Sequence, residues 1–492
     1  MIQRRLLFLR KFSLLFKQFV AYVKGDGGVV ESVDYLYSKF TQAPNASILQ
    51  IPTSYKTSVL YNQEPFNPSE DFDVIRNSTV TRTNQDGLLE EIGVNTPCID
   101  YSTGEPLLLT QPQSTNLILY SEDFGQGWWT KASATVSFDS VTNPKGELGA
   151  YRLIPDNGIG SNRSVSRDFT SLTELHTLSV YAKYGGYRYF YLRTRNAPNQ
   201  IAIFDFETET INLIGATISA KVTKLKDGWF KIEATLDPSV MSTVGRLYIS
   251  FSMNDTIDPN SFDGDGSRFT YIWGAQFEQQ TFATSYIFTD GNVATRLADL
   301  IQNAGSTDTI NSEEGVLYFE GAALTNVDGV LDRTISLTDG TTDNRIFIRY
   351  DKIFNTIVFQ YRKDAITLAI INLSDFQVLE INSFALAWDD EKMYAYANQV
   401  LEGEFILSDS FSANTLNTFS LNNASGQPFY AKTKELRVYK TQEDASKDLP
   451  YIIPFDADFL QSYKDFINDI RSIGGITEKK TYTDNLLKEA VN

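Results

Sequence analysis

Two stretches of the chain alternate apolar and polar residues in short runs, and both predict β-strands. In the first, residues 111–300, YRYFYLRT (187–194) and GRLYISFS (245–252) put large apolar side chains at every second position. That period gives a strand one buried and one solvated face. ATVSF, GAYRLI, TLSVYAKY, IAIFDF, WFKIEATL, FTYIWGAQFE and TSYIFT are further candidates, and turn residues separate them. About nine antiparallel strands of this kind predict a jelly-roll sandwich. The pattern restarts at Gly315 with GVLYFEGAAL and runs through RTISLTDG, NRIFIRYD, TIVFQYRK, AITLAIINL, NSFALAWDD and KMYAYANQVL to AKTKELRVYKT. This predicts a second sandwich over residues 313–446. Between the two, IQNAGSTDTINS (301–312) is small and polar with no apolar period, and reads as a linker.

The ends differ. Residues 1–24 carry Arg4, Arg5, Arg10, Lys11, Lys17 and Lys24 with no acid. Arg10, Lys11 and Lys17 interrupt the roughly 20 apolar residues that a membrane span needs, and the apolar runs are too short for a signal peptide. A basic amphipathic helix for docking or oligomerisation is the expectation, with membrane contact as the alternative. Residues 25–110 read as a connector with short strands, in which Asp86-Gly87 marks a hairpin turn between STVTRT and LLEEIGV. After residue 447, Phe459, Tyr463, Phe466, Ile467 and Ile470 fall at helical spacing and predict a helical tail over 447–492. The expected fold is therefore mainly β: two tandem antiparallel sandwiches between a helical N-terminal base and a C-terminal helical segment.

Composition narrows the function. Aromatic residues make up 13% of the 492, which suits many strands, and the net charge is −18. A nucleic-acid binder needs a basic face to displace counterions from phosphates, so nucleic acid is not an expected partner. Cys98 is the only cysteine, which excludes an intrachain disulfide and fits assembly in a reducing cytoplasm. His176 is the only histidine. That excludes a multi-histidine metal site and leaves little basis for a Ser-His-Asp triad; a surface or strand-edge position is expected for it.

One ordered set of residues is more specific. It comprises Arg76, Thr81-Arg82, Asp86-Gly87, Asn95, Pro97, Leu107 to Leu109, Pro112-Gln113, Thr115-Asn116-Leu117 and Tyr120 to Phe124, and closes with Trp273 to Glu278, Thr284 to Ile287 and Thr295-Arg296. Over about residues 71–299 it resembles bacteriophage head-spike and tail-fibre proteins that carry carbohydrate-binding-module-like jelly rolls. Cys98 stands where that pattern usually has Arg, so a salt bridge there is missing or replaced. The later stretch, about 313–446, is similar to laminin-G or concanavalin-A-like lectin domains through Ser336 to Gly340, Asn344 to Ile346, Ala387-Trp388, Met393 to Asn398 and Lys434 to Tyr439. Asn398-Gln399 replaces the usual Asn-Gly there.

These resemblances imply a virion component, assembled in the host cytoplasm, and the single histidine and lack of a catalytic constellation make a non-enzymatic role the expectation. It would be a head-fibre, spike or tail-fibre subunit anchored to capsid or tail proteins by its N-terminal region. Its sandwiches would face host-surface glycans. A homo-oligomer is expected, a trimer first and a dimer second. Two rivals remain: a polysaccharide depolymerase tailspike, and an architectural virion protein that binds no ligand.

Sugar recognition uses aromatic faces, and Trp128, Trp129 and Trp229 are the candidates in the first sandwich. Adjacent Trp128 and Trp129 face opposite ways in an extended segment, so one of them should be buried. Trp273 and Trp388 lie within strand-like runs and are expected in the core. No cofactor is implied. Calcium is the candidate ion, because Asp255, Asp258, Asp263 and Asp265 cluster beside Gly264 and Gly266. Asp-Gly clusters are more often plain turns.

Overall fold

The computed structural model describes residues 43–62, 70–160, 163–170, 172–195, 200–215, 217–237, 244–253, 262–326, 333–351, 355–424 and 428–452. The N-terminal segment with Arg4, Arg5, Arg10, Lys11 and Lys17 lies outside these residues, as do Asp255, Asp258 and the apolar residues of the expected helical tail. Asn45 onward forms one compact unit.

Two six-stranded antiparallel sheets make the first sandwich. One runs Thr130–Ala132, Ser164–Thr170, Val244–Ser252, Tyr189–Arg195, Gln200–Asp205, Thr210–Gly215. The other runs Ala134–Thr142, Leu148–Pro155, Phe269–Glu278, His176–Gly185, Trp229–Leu236, Ser219–Lys224. The period of two has the expected outcome: Phe190, Leu192, Leu247, Ile249 and Phe251 join Leu178, Val180, Ile232, Ile272 and Phe277 in the shared core.

The second sandwich is not built from residues 313–446 alone. Its five-stranded sheet is local, from Ile366–Leu373 through Ile357–Lys363, Arg345–Tyr350 and Arg333–Thr338 to Thr418–Ser420. In the facing sheet, Ala431–Tyr439 lies beside Gly315–Ala323 on one edge. Its other edge takes Ile48–Gln50 and Leu107–Leu109. Residues expected to be a connector are thus strands of this sandwich, and Ile48, Leu60, Phe72, Val74, Ile99 and Leu108 sit in its core with Phe319, Phe359, Trp388 and Val438. The first sandwich is an insertion between these early strands and the remainder of the second.

The segment 301–312 also differs from the linker expected of it. Leu300–Gln302 pairs with Phe72–Ile75, and Ile301, Ala304 and Ile310 are all at most 2% exposed. The polar residues between them supply the turn: Ser306 N–H donates to Thr309 Oγ1, and Ile310 N–H to Ser306 O. Three isolated apolar anchors around a turn have no period, which is why composition suggested a linker.

The helix Gln442–Asp448 follows the last strand. Thr441 caps it by accepting from Asp444 N–H at 3.0 Å. Asn45 then closes the unit: its backbone N–H and side-chain amide donate to the two Asp448 carboxylate oxygens at 3.0 and 2.8 Å.

Candidate functional site

The ordered residues that carry the phage resemblance meet in three dimensions, and they form a buried polar junction. Arg76 is 1% exposed. Its Nη1 donates to Asp299 Oδ1 at 2.7 Å, and its other nitrogens donate to the carbonyls of Ser78, Gly93 and Thr96. Asp299 Oδ2 accepts from Gln111 N–H at 2.9 Å and lies 3.6 Å from Arg296 Nη1. Arg296 also donates to the carbonyl of Pro112. A carboxylate between two guanidiniums satisfies charges that would otherwise be costly to bury. The early signature and its closing motif are thereby tied together.

A second network adjoins it. Glu278 Oε2 accepts from Ser114 and Thr284 hydroxyls, and Oε1 accepts from the Gln276 amide and the Thr284 N–H. Asn116 donates to the carbonyls of Ala275 and Ile287, and its Oδ1 accepts from the N–H groups of Ile118 and Phe277. These residues hold the end of the sandwich shut rather than reach toward solvent. Cys98 packs with Val80 and Leu109. Burial, with Asp299 and Asp100 nearby, pushes its thiol well above the usual range. No salt bridge of the kind expected of an arginine at this position is possible for it.

The tryptophans do not form an open platform. Trp229 is 1% exposed, and its Nε1 donates to Thr142 O at 2.9 Å. Trp129 is buried against Phe124, its Nε1 donating to Tyr120 O. Trp128 is the half-buried member of the pair, and the Arg167 guanidinium lies 4.6 Å from its ring centroid. Trp273 and Trp388 are core residues. Trp229 therefore fails as a ligand residue because its ring fills the space under the Thr142 turn.

Of the acidic loop, Asp263 is an exposed strand residue paired with Ile159. Asp265 Oδ1 accepts from Ser267 and from Arg268 N–H, and Oδ2 from Arg268 Nε. The Arg268 hydrogen bond holds the Asp265 carboxyl below the usual carboxylate range. Asp265 is a turn residue with both oxygens engaged, and no cluster of three metal-ligating side chains occurs among the described residues. His176 opens a strand but is buried, not at the surface: Nδ1–H donates to Glu174 O, the ring stacks on Phe277, and burial lowers its pKa.

The concave feature is elsewhere, where the first sandwich, the Asp86-Gly87 hairpin and the second sandwich meet. A cleft of about 330 Å³ there is lined by hydroxyls of Thr81, Thr83, Ser102, Thr223 and Ser285, by half-buried Phe282, and by ionic side chains from all three elements. A second cavity of about 340 Å³ shares Thr83, Ser102, Thr223 and Leu225 with it, so the two form one groove. The hairpin that walls it is Val80–Thr83 paired with Leu89–Ile92; Gly87 turns at φ +76°, and Asn84 Oδ1 accepts from Asp86 and Leu88 N–H.

Two of the groove's four acids, Asp100 and Glu233, are engaged. Asp100 accepts from the N–H groups of Thr83 and Ser102. Glu233 lies 3.3 Å from Lys231 Nζ and accepts from Ala283 N–H. Lys231 also donates to Thr284 O; burial opposes its charge, but Glu233, Tyr181 and Glu278 together raise its pKa. Burial pushes the Tyr181 hydroxyl, in the same wall, up to about 12. Sequence reasoning named Thr81, Arg82, Asp86, Gly87 and Thr284 to Tyr286 only as parts of a turn or a resemblance and assigned none of them to a ligand, because the groove's walls come from strands far apart in the chain.

No protein-family model matches the sequence, and no curated protein matches it. Among solved structures the chain is similar to the Ruminococcus gnavus IT-sialidase CBM40 bound to alpha2,3 sialyllactose, at 14% identity over 26% of this chain and 77% of that one, TM-score 0.23. It is similar to mouse laminin alpha1 domains LG4-5, at 9% identity over 56% and 86%, TM-score 0.20. It is also similar to the CBM22-1-CBM22-2 tandem of Paenibacillus barcinonensis Xyn10C, at 10% identity over 66% and 98%, TM-score 0.21. Likenesses at this level assign nothing, and the architecture stands on the strand pairings themselves.

Proposed function

We propose that the chain is a non-enzymatic structural subunit of a bacteriophage particle, a head fibre, spike or tail fibre, that adheres to host-surface glycans. The observation that carries the adhesive part is the groove. Hydroxyl, ammonium and guanidinium groups converge there around half-buried Phe282, the mixture that a hydroxyl-rich ring with an apolar face requires. The virion part draws on the resemblance over residues 71–299.

Because residues 45–110 belong to the folded body, the docking role falls on the segment before Asn45, with Arg4, Arg5, Arg10, Lys11 and Lys17 as its charged contacts to capsid or tail proteins. Homo-oligomerisation, as a trimer before a dimer, is part of the same reading. A depolymerase would need an acid and a base or nucleophile free to act. The hydrogen bonds and ion pair at Asp100 and Glu233 favour binding over cleavage.

A glycan array probed with the full chain, together with cryo-electron microscopy of intact particles, tests this. Expected are saccharide binding without release of reducing ends, and density for the chain joined to capsid or tail through its N-terminal segment. Residues 1–24 found in lipid with no virion partner would overturn the reading.

A further inference from the structure

The groove differs in charge from the rest of the molecule. The chain as a whole is −18, yet six side chains lining the two joined cavities are cations and four are acids. A cleft with an excess of one sign between low-dielectric walls concentrates its field and draws in counter-ions.

Two of the four cations in the 330 Å³ cleft are distinguished by what they lack. Arg82 is held by Glu90 Oε1 at 2.7 Å and by Ile99 O, Lys231 by Glu233 and Thr284 O, and Lys224 by Glu209. Lys221 and Lys432 form neither a salt bridge nor a side-chain hydrogen bond with any described residue. They stand on different bodies: Lys221 in the edge strand Ser219–Lys224 of the first sandwich, Lys432 in Ala431–Tyr439 of the second. Both line the cleft of about 330 Å³. Burial, and then the like charge of Lys221, lowers the pKa of Lys432. Two ammonium groups near enough to repel across a cleft, with Asp100 and Glu233 beside them already engaged, are the complement of a single anion between them.

We propose that the groove takes an acidic saccharide, holding its carboxylate or sulfate ester between the ammonium groups of Lys221 and Lys432. This rests on the adhesion reading and names its ligand class. The hydroxyls of Thr81, Thr83 and Thr223 then face the neutral part of the sugar.

Isothermal titration of the full chain tests it with three tetrasaccharides: an alginate (carboxylates), a carrageenan (sulfate esters on neutral sugar) and cellotetraose (neutral). At least one acidic ligand is expected to bind ten-fold or more tighter than cellotetraose, and which one identifies the anion. Lys221→Gln and Lys432→Gln should each weaken that ligand several-fold. The double variant should lose ten-fold or more and show a flatter salt dependence. Lys363→Gln, which breaks the distant Lys363–Asp409 pair, should bind like the parent. Lys221 is exposed, so its variant keeps the test alive if Lys432→Gln misfolds.

Acidic binding unchanged in the double variant, or cellotetraose bound as tightly, overturns the inference and leaves adhesion standing. If no tetrasaccharide binds and the array is also blank, both fail.

Discussion

Asp299→Ala strips the counter-charge from a fully enclosed guanidinium, that of Arg76. The Asp299 side chain is 4% exposed, against 0% for Arg76 and 2% for Arg296. After substitution Arg76 keeps three carbonyl acceptors but no anion, and Arg296 loses its ion-pair partner. Removing one partner of such a buried pair costs about 3–5 kcal/mol. The Gln111 N–H, which donates to Asp299 Oδ2, is orphaned as well and adds about 1 kcal/mol. The expected loss is therefore about 4–6 kcal/mol. Asp299→Asn keeps an acceptor for Gln111 and should lose less.

Urea unfolding followed by tryptophan fluorescence measures this, with Trp129, Trp229 and Trp273 reporting the first sandwich and Trp388 the second. A double-mutant cycle with Arg76→Met should return a coupling of about 2 kcal/mol or more. Added 0.5 M NaCl should change the coupling little, because buried pairs are weakly screened. A loss below about 1 kcal/mol for Asp299→Ala would refute the view that this carboxylate ties the signature together.

Three further outcomes are expected. Burial pushes the Asp71 carboxyl up to about 6, so between about pH 4 and 6 the folded chain holds a proton that the unfolded chain has released. Stability from this group falls as pH rises through that window, and urea midpoints at pH 5 and 8 should lie closer together in Asp71→Asn, whose Oδ1 still accepts from Asn62 N–H. Trp229→Ala should cost about 3–5 kcal/mol in the same assay, while half-buried Trp128→Ala costs clearly less. Cys98, 1% exposed with a raised thiol pKa, should be inert to a thiol-reactive disulfide in the native chain and react stoichiometrically in urea.

Local features were legible in the sequence and long-range ones were not. The alternation in Tyr189–Arg195 and Val244–Ser252 announced two-faced strands, and the strand-like settings of Trp273 and Trp388 announced burial, because a period of two is a property of neighbours. Trp229 had the same setting in WFKIEATL, yet it counted among the sugar-stacking candidates and is buried. Ile48–Gln50 and Leu107–Leu109 are short runs whose meaning lies in a partner strand near the other end of the chain. Asn116, Gln276 and Glu278 stood out as a pattern, yet that pattern alone could not show that they bond to one another inside the protein. The groove was the least visible feature: Lys221 and Lys432 belong to different sandwiches, and no window of sequence contains both.

The clasp between Asn45 and Asp448 has a mechanical meaning. Ser47 and Val438 are 391 residues apart in sequence and hydrogen-bonded, so the strands Ile48–Gln50 and Ala431–Tyr439 begin and end side by side. Ile48 pairs antiparallel with Val438, and Gln50 with Leu436. A pull on Asn45 alone, along the strand and away from the body, slides Ile48–Gln50 against Ala431–Tyr439 and loads these three rungs in shear all at once, the resistant direction for a ladder. A pull that separates the two segments opens the rungs one after another, starting at the clasp. A subunit tethered through one flank and loaded at its far sandwich by a moving host surface would be strained mainly in the first mode. Its two sandwiches would hang as one lobe and would not unravel in series.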